Sequence, residues 1–404
     1  MIQFVATGAA LAAATGWVER LTPARPLTPA LAGVLLTAKP AAEPGRPGTL
    51  TLSVYDFETA ATTTIDAEVT APGTLLVSAR LLAAVARTVP REPRVMITYD
   101  GGSGTSGAEV SIGKGQGWEL PTLDQALYPG LPASGTEIGS VDADAFGAAL
   151  ARVLPAASQP HEAPQFGGIA LSATDGTLTI AATDRHRLAV AELPWLSGPA
   201  GDPAPGSGAD FDELLTAADM LRVATVAAHA TGDVLTLHSD GNGVSLQGAR
   251  YRLSGRIIAN DKPGMWRQVE RTVATINARA VIDLGELRQA VARASVVLDK
   301  DEPLTVNFDG DGVTVRPAIG GRGRAEHGAP VHTYDGAAQT AGVSTSYLAD
   351  ALDALLSPMV TVAFSGKPWA PFLLLPTAAD GTPMPGYRHV LAQLRMPDAG
   401  RAAA

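Results

Sequence analysis

The chain has 404 residues, which at roughly 100–200 residues per domain implies two to four domains. With 46% hydrophobic and 17% charged residues it is globular, and no apolar run reaches the roughly 18 residues of a membrane span, so membrane and disordered classes are excluded. The absence of Cys excludes a disulfide framework or thiolate metal site and fits a reducing cytoplasm, while a net charge of −10 excludes uniform coating by phosphate-binding cations.

The Ala-rich start, Met1 to Trp17, has no Lys or Arg before Arg20 and reads as an amphipathic helix rather than an export signal. From there an order of elements recurs with a period of roughly 130 residues: helix, about three strands, helix, about three strands. The first unit has a helix over Gly8–Leu21 and strands at Leu31–Thr37, Thr49–Val54 and Thr62–Val69. Its second helix is capped by Ser78 and presents Leu81, Leu82 and Val85, before strands at Val95–Tyr99, Glu109–Ile112 and Trp118–Pro121.

The second unit has a helix over Ala143–Leu154, strands at Ile169–Ser172, Thr177–Ala182 and Arg187–Glu192, and a helix over Asp212–Ala224. Strands at Val234–His238, Gly243–Gln247 and Tyr251–Arg256 follow, the first two joined by a turn at Ser239–Gly243. The third unit runs from the helix Leu284–Ala294 through strands Leu304–Phe308, Val313–Arg316 and Gly328–Thr333 to the helix Ser346–Leu356. It ends with Val360–Phe364, Phe372–Pro376 and His389–Leu394. Linkers are expected at Leu131–Ser140 and Val269–Ala274, and surface loops at Pro40–Gly48 and Ser197–Gly208. The pattern is that of an α+β chain of three similar domains, 1–134, 135–271 and 272–404, each with two helices on one face of two small antiparallel sheets.

Motifs of enzyme chemistry fail on context. The glycines at 102, 104 and 107 match a dinucleotide fingerprint by letter, but Val110 and Ile112 continue as a strand where the fingerprint requires a helix. Asp309 to Gly312 lacks the Glu that closes a calcium loop and reads as a hairpin turn. The seven His residues form no HExxH pair, no GxSxG elbow is present, and Asp299 and Asp301 flank Lys300 in a solvated loop. No catalytic constellation, metal site or cofactor site is expected.

Alone, Ala182 to Val190 is a strand end whose Asp184 and Arg187 form a surface ion pair. It stands, however, in an ordered series: Arg25 to Leu31, Leu120 to Leu123, Tyr128 to Pro132, the Thr-Asp-x-x-Arg-Leu run from Thr183 to Leu188, Ser344 to Leu348, and Arg395. In that order, and with the threefold repeat, the chain resembles the bacterial DNA polymerase III beta subunit family, the sliding clamps, over nearly its full length.

The resemblance implies the DNA-clamp fold and a head-to-tail homodimer closing into a six-domain ring, a non-enzymatic, cytoplasmic processivity factor. Its partners would be encircled double-stranded DNA, the polymerase III catalytic subunit, the clamp loader and other proteins with clamp-binding motifs. An acidic outside and a basic lining reconcile the charge of −10 with DNA. Implied lining residues are Arg25, Arg80, Arg87, Arg152, Arg222, Arg288 and Arg293, and implied joint residues are Trp118 and Leu120 against Val296 and Val297. The partner-peptide pocket would comprise Phe166, Thr183, Arg185, His186, Arg187, Leu188, Gly264, Gln268, Val269, Val390 and Ala392. Here the chain departs from the family. Ala392 stands where a Met is usual, Gln268 where a basic residue is common and Phe166 where a Leu is common. These departures raise the alternative of a specialised paralogous clamp with an altered pocket, for example one that escapes a clamp-binding inhibitor.

Overall fold

The computed structural model describes every residue except 24–25, 27, 44, 91–93, 102–106, 114–115, 158–165, 199–210, 218–233, 259–263, 300–301, 319–322, 368 and 396–404. One construction recurs along the described chain. A strand ends on a Ser, Thr or Asp whose side chain accepts the backbone N–H three residues on, and a helix starts there. Thr7 opens α1 (Gly8–Glu19), Ser78 opens α2 (Ala79–Thr88) and Asp142 opens α3 (Ala143–Val153) in this way. Between them falls no loop. A further helix, α4 (Met265–Thr272), starts differently, at Gly264 with φ +70° and no side-chain cap. Asp283 then opens α5 (Leu284–Ser295), and Ser344 opens α6 (Thr345–Ala354).

The chain divides into two compact units: Met1–Gly147 with Leu196–Ala209 and Asp219–Ile257, and Ala148–Trp195 with Asp210–Ala218 and Ile258–Ala404. The middle third of the chain thus contributes to both. In the first unit the described strands form one antiparallel sheet of 13. The 13-residue strand Thr59–Ala71 is its hub, pairing with Ile2–Thr7, Gly48–Tyr55 and Tyr251–Arg256. α1 and α2 pack together on it, and fully buried Phe4, Leu11, Leu36, Leu50 and Leu82 fill the core.

The second unit holds a nine-stranded and a four-stranded antiparallel sheet. α5 and α6 pack together, and the C-terminal end of α6 is held from two sides by guanidinium groups. Arg152 Nε donates to Ala354 O at 2.7 Å, while Arg288 Nη2 donates to Leu352 O at 2.6 Å and Leu355 O at 3.3 Å. Last-turn carbonyls lack i+4 partners within their own helix, so these two cations satisfy Ala354 O, share Leu352 O with the Leu355 N–H, and oppose the negative end of the helix dipole.

Several elements depart from the sequence expectations. Residues 212–217 of the expected helix Asp212–Ala224 lie instead in the strand Phe211–Ala217, on the edge of Gly168–Thr174, whose outer backbone groups need partners; 218–224 lie outside the described residues. Of the expected linker at Leu131–Ser140, residues 131–135 are irregular and residues 136–140 belong to the strand Thr136–Asp142, paired with Val234–Ser239. The second expected linker is largely α4. Unanticipated strands lie at Ile2–Thr7, Gly73–Ser78 and Gln339–Ser344, and the expected strand at Gly328–Thr333 is split in two. Leu81 is 40% exposed, because the α2 face is set by Leu82, Val85 and Ala86 at i, i+3 and i+4.

Two glycines separate backbone strain from steric exclusion. A Cβ on Gly336 (φ +102°) would lie 2.4 Å from Asn277 O, whereas one on Gly381 (φ +86°) meets nothing within 4 Å. Gly381→Ala should therefore cost about 1 kcal/mol, the left-handed penalty alone, and Gly336→Ala at least about 3 kcal/mol, as read by denaturant unfolding.

Candidate functional site

The run from Thr183 to Leu188 closes the hairpin between Thr177–Thr183 and Arg187–Pro194. Thr183 Oγ1 accepts from Arg185 N at 3.2 Å and donates to Arg187 O at 2.7 Å. Asp184 Oδ1 accepts from His186 N at 2.9 Å and Arg187 N at 3.0 Å, the local bonding that suits Asp and Thr to tight turns. Arg185 adopts φ +79°, a left-handed conformation rare outside glycine, so the turn holds a non-glycine residue against its preference.

The Asp184–Arg187 pair exists, but as a correction to the sequence reading it is not a surface pair: the side chains are 8% and 9% exposed. Arg187 Nε meets Asp184 Oδ2 at 3.0 Å, and Nη1 meets Asp350 Oδ2 on α6 at 2.6 Å. Its guanidinium lies 4.3 Å from the ring centroid of Tyr347, which also stands 6.2 Å from the His186 ring. Strand Arg187–Pro194 pairs with Tyr387–Leu391, and Ala392 N continues that pairing to His186 O at 2.8 Å.

Behind the turn lies an apolar floor. Leu188 and Val390 are opposite one another on the paired strands and join Ala170, Ala181, Val190, Trp266 and Val273 in one buried cluster, with Val269 partly buried against it. α4 brings Trp266 and Val269, and Arg267 fixes the helix, its guanidinium 4.6 Å from the Trp266 ring and Nη2 3.3 Å from Ser172 Oγ. Phe166 is buried with the Arg185 guanidinium 5.1 Å from its ring, Gln268 is exposed on α4, and Ala392 is half-buried. Thr183, Arg185, His186, Arg187, Leu188, Phe166, Val269, Val390 and Ala392 thus converge, and Gly264 and Gln268 belong to the helix over them. The reading missed Tyr347 and Asp350 as members of this cluster, although Tyr347 was visible as part of a helix start. Their register against Arg187 is a tertiary fact.

On the opposite face of Tyr387–Leu391, His389 is fully buried with Nδ1 3.0 Å from Tyr387 Oη, and that hydroxyl donates to Arg152 O at 3.2 Å. Burial, aided by the Arg187 charge, pushes the His389 pKa down to about 3, and burial raises that of Tyr387. Arg152 lies 3.8 Å over the Tyr387 ring, its own pKa lowered by burial.

The arginines assigned to a DNA lining fare unequally. Arg80 is exposed on α2. Arg87 pairs with Glu19 at 2.6 Å, and Arg293 Nη2 donates to Gln289 at 2.9 Å. Arg152 and Arg288 are committed to the end of α6, and Arg25 and Arg222 lie outside the described residues. Of the joint residues, Trp118 and Leu120 share one face of the edge strand Gln116–Pro121, with Leu120 only 2% exposed in the unit's own core. Val296 is 80% exposed at the end of α5, and Val297 is half-buried. Asp309 to Gly312 is a hairpin turn, with Asp309 Oδ1 accepting from Asp311 N and Gly312 N, and no described acidic or His cluster could hold a metal. The glycine run over 102–106 lies outside the described residues.

Asp184→Ala removes two backbone acceptor contacts and one of the two acids neutralising a buried Arg, so it should cost about 3 kcal/mol in a thermal melt. His389 sets an acid limit. Its folded pKa is below its unfolded value of about 6.5, so the stability it confers is complete above that pH and is lost as pH falls toward 3. His389→Gln should flatten the stability profile over that window by up to about 1.4 kcal/mol per pH unit, measured by urea unfolding at stepped pH.

Residues 2–132 match the family model for the DNA polymerase III beta subunit N-terminal domain, and residues 274–383 match that for its C-terminal domain. A Streptomyces coelicolor protein named beta sliding clamp is 29% identical over 395 residues, covering 96% of this chain and 97% of its own. A Streptomyces muensis protein named beta sliding clamp homolog GriR is 26% identical over 400 residues, covering 95% and 97%. The crystal structure of the Bacillus subtilis DNA polymerase sliding clamp has the same fold, with TM-score 0.83 at 16% identity over 98% of this chain and all of that one. Matched at both ends by models of one subunit and along its whole length by that subunit's fold, the chain belongs to the DNA polymerase III beta subunit family, the beta sliding clamps.

Proposed function

We propose that the protein is a DNA sliding clamp, a non-enzymatic cytoplasmic factor that encircles duplex DNA and tethers the replicative polymerase. The observation that carries this is the convergence of the Thr183–Leu188 turn, Val269 and Val390 on one apolar site, in a chain of the clamp family. An apolar cluster beside a polar turn suits short extended tails of the polymerase, clamp loader and other clamp-binding proteins. On this reading the three domains are 1–134, 135–271 and 272–404, and two copies join head to tail into a six-domain ring. The unpaired outer edge of strand Gln116–Pro121 and the exposed Val296 are apt ends for such a joint. Weak, sequence-neutral phosphate contacts along an inner face would let the ring slide despite the net charge of −10.

Light scattering should give about twice the 41.3 kDa chain mass, and Val297→Glu should reduce it toward the monomer. Loaded on a nicked circle by a clamp loader, the protein should stay bound until the circle is linearised. Retention on linear DNA without end blocks contradicts a sliding ring.

A second reading, a specialised clamp with an altered pocket, is favoured by the Ala392 methyl, two residues past Val390, and by Gln268, exposed on α4. A missing Met side chain removes about 1–3 kcal/mol of contact for a ligand that used it. Ala392→Met with Gln268→Arg should then tighten a consensus clamp-binding peptide about tenfold or more in calorimetry. Equal affinities would make these departures neutral.

A further inference from the structure

Phe57 is held against its own preference. It joins the strands Gly48–Tyr55 and Thr59–Ala71 at φ +75°, a left-handed conformation that is an outlier for a bulky residue, and it is 56% exposed. Asp56 imposes the turn: its Oδ1 accepts from Glu58 N at 3.0 Å and from Thr59 N at 2.7 Å. Glycine would make the same turn without strain, and strained positions of this kind cluster at binding sites. The exposed ring lies beside that of Tyr55, with centroids 5.6 Å apart.

Both rings line an open cavity of about 350 Å³ whose residues all belong to the first unit. Its base lies on the paired strands Gly243–Gln247 and Tyr251–Arg256, where buried Ser245 and Ser254 are direct partners. Ser245 Oγ donates to Ser254 Oγ at 2.9 Å, and among the described residues nothing accepts the Ser254 hydroxyl proton. Two residues along the same sheet face, Arg256 pairs with Gly243, which adds no side chain there. Two exposed carboxylates complete the lining. Glu58 follows Phe57 in its turn, and Asp240 lies three residues before Gly243, where hydrogen bonds from Asn242 N and Gly243 N hold its carboxyl below the usual range. Among the described residues, neither carboxylate nor Arg256 is in an ion pair.

We propose that this cavity is a second docking site, which takes an arginine side chain from an extended basic segment of a partner protein. The partner's guanidinium lies against the Phe57 and Tyr55 rings and meets Glu58 and Asp240, while Ser254 and Arg256 donate to main-chain carbonyls beside it. Charge complementarity selects a cation. Aromatic faces attract a guanidinium, which also stacks on them, and the two carboxylates outnumber the one guanidinium of the lining. The chain's net charge of −10 draws basic segments toward it and repels phosphate. The site shares no residue with the Leu188 cluster, so it stands whether or not that cluster binds a peptide.

Surface plasmon resonance on the full chain tests this with three blocked alanine-based peptides whose central residue is Arg, citrulline or Glu. Citrulline keeps the shape of Arg and removes its charge. The Arg peptide should bind at least about fivefold tighter than the citrulline peptide, and the Glu peptide more weakly than either. Phe57→Gly, which the left-handed backbone accepts, should lower the Arg-to-citrulline ratio at least about twofold. Glu58→Gln with Asp240→Asn, which keeps an oxygen to cap the turn, should bring the ratio to about one. Denaturant unfolding checks that both variants fold. Equal binding of the Arg and citrulline peptides by the unmodified protein overturns the proposal. So does a preference for Arg that survives both variants, because it then reflects attraction to the acidic surface at large.

Discussion

A single buried cation organises the second unit. Arg187 sits between Asp184 on its own turn and Asp350 on α6, stacked on Tyr347, with its side chain 9% exposed. Removing a charge from water costs several kcal/mol, and it is recovered only when carboxylates and hydrogen bonds fill the donor set. Filling it here requires the hairpin turn and helix α6 to be in register together, while the strand Tyr387–Leu391 pairs with the strand that Arg187 begins. The same residue begins the strand that places Leu188 opposite Val390. The polar lock and the apolar floor are therefore two sides of one short segment.

The wider architecture extends this economy. Five helices start directly from strand ends capped by Ser, Thr or Asp, so sheet register fixes the origin of each helix. α4 is the exception, starting at a left-handed glycine, and it is the helix laid across the pocket floor. Cations are divided between structural and open roles. Arg152 and Arg288 close the end of α6, Arg187 is buried between acids, and Arg388 is neutralised by two glutamates. Arg80 and Arg279 remain exposed. In a chain of net charge −10, the positions of the cations carry more information than their number.

His389 and Tyr387 show a cost of this arrangement. Behind the pocket strand, a neutral imidazole and a phenol share a hydrogen bond and hold Arg152 O, and His389 Nε2 has no partner among the described residues. The strand is thus specified on both faces, by apolar contact outward and by a short polar chain inward. Such a buried network favours one register strongly, because slippage by one residue would exchange the two faces.

The sequence by itself determined the alternation of helices and strands in outline, the cap Ser78, the Asp309 turn and the Thr183–Leu188 motif, since caps, turns and periodicity are local chemistry. It also determined the family, through ordered motifs along the chain. Only the tertiary structure decided that residues 211–217 are a strand, because an unpaired neighbouring edge outweighs the local preference of seven residues. It decided that the Asp184–Arg187 pair is buried, that Arg152 and Arg288 cap a helix, and that Tyr347 and Asp350 belong to the pocket's support. Each of these depends on partners about 160 to 200 or, for Arg288, about 65 positions away in sequence. No local pattern encodes such a contact; sheet pairing and side-chain burial bring its members together.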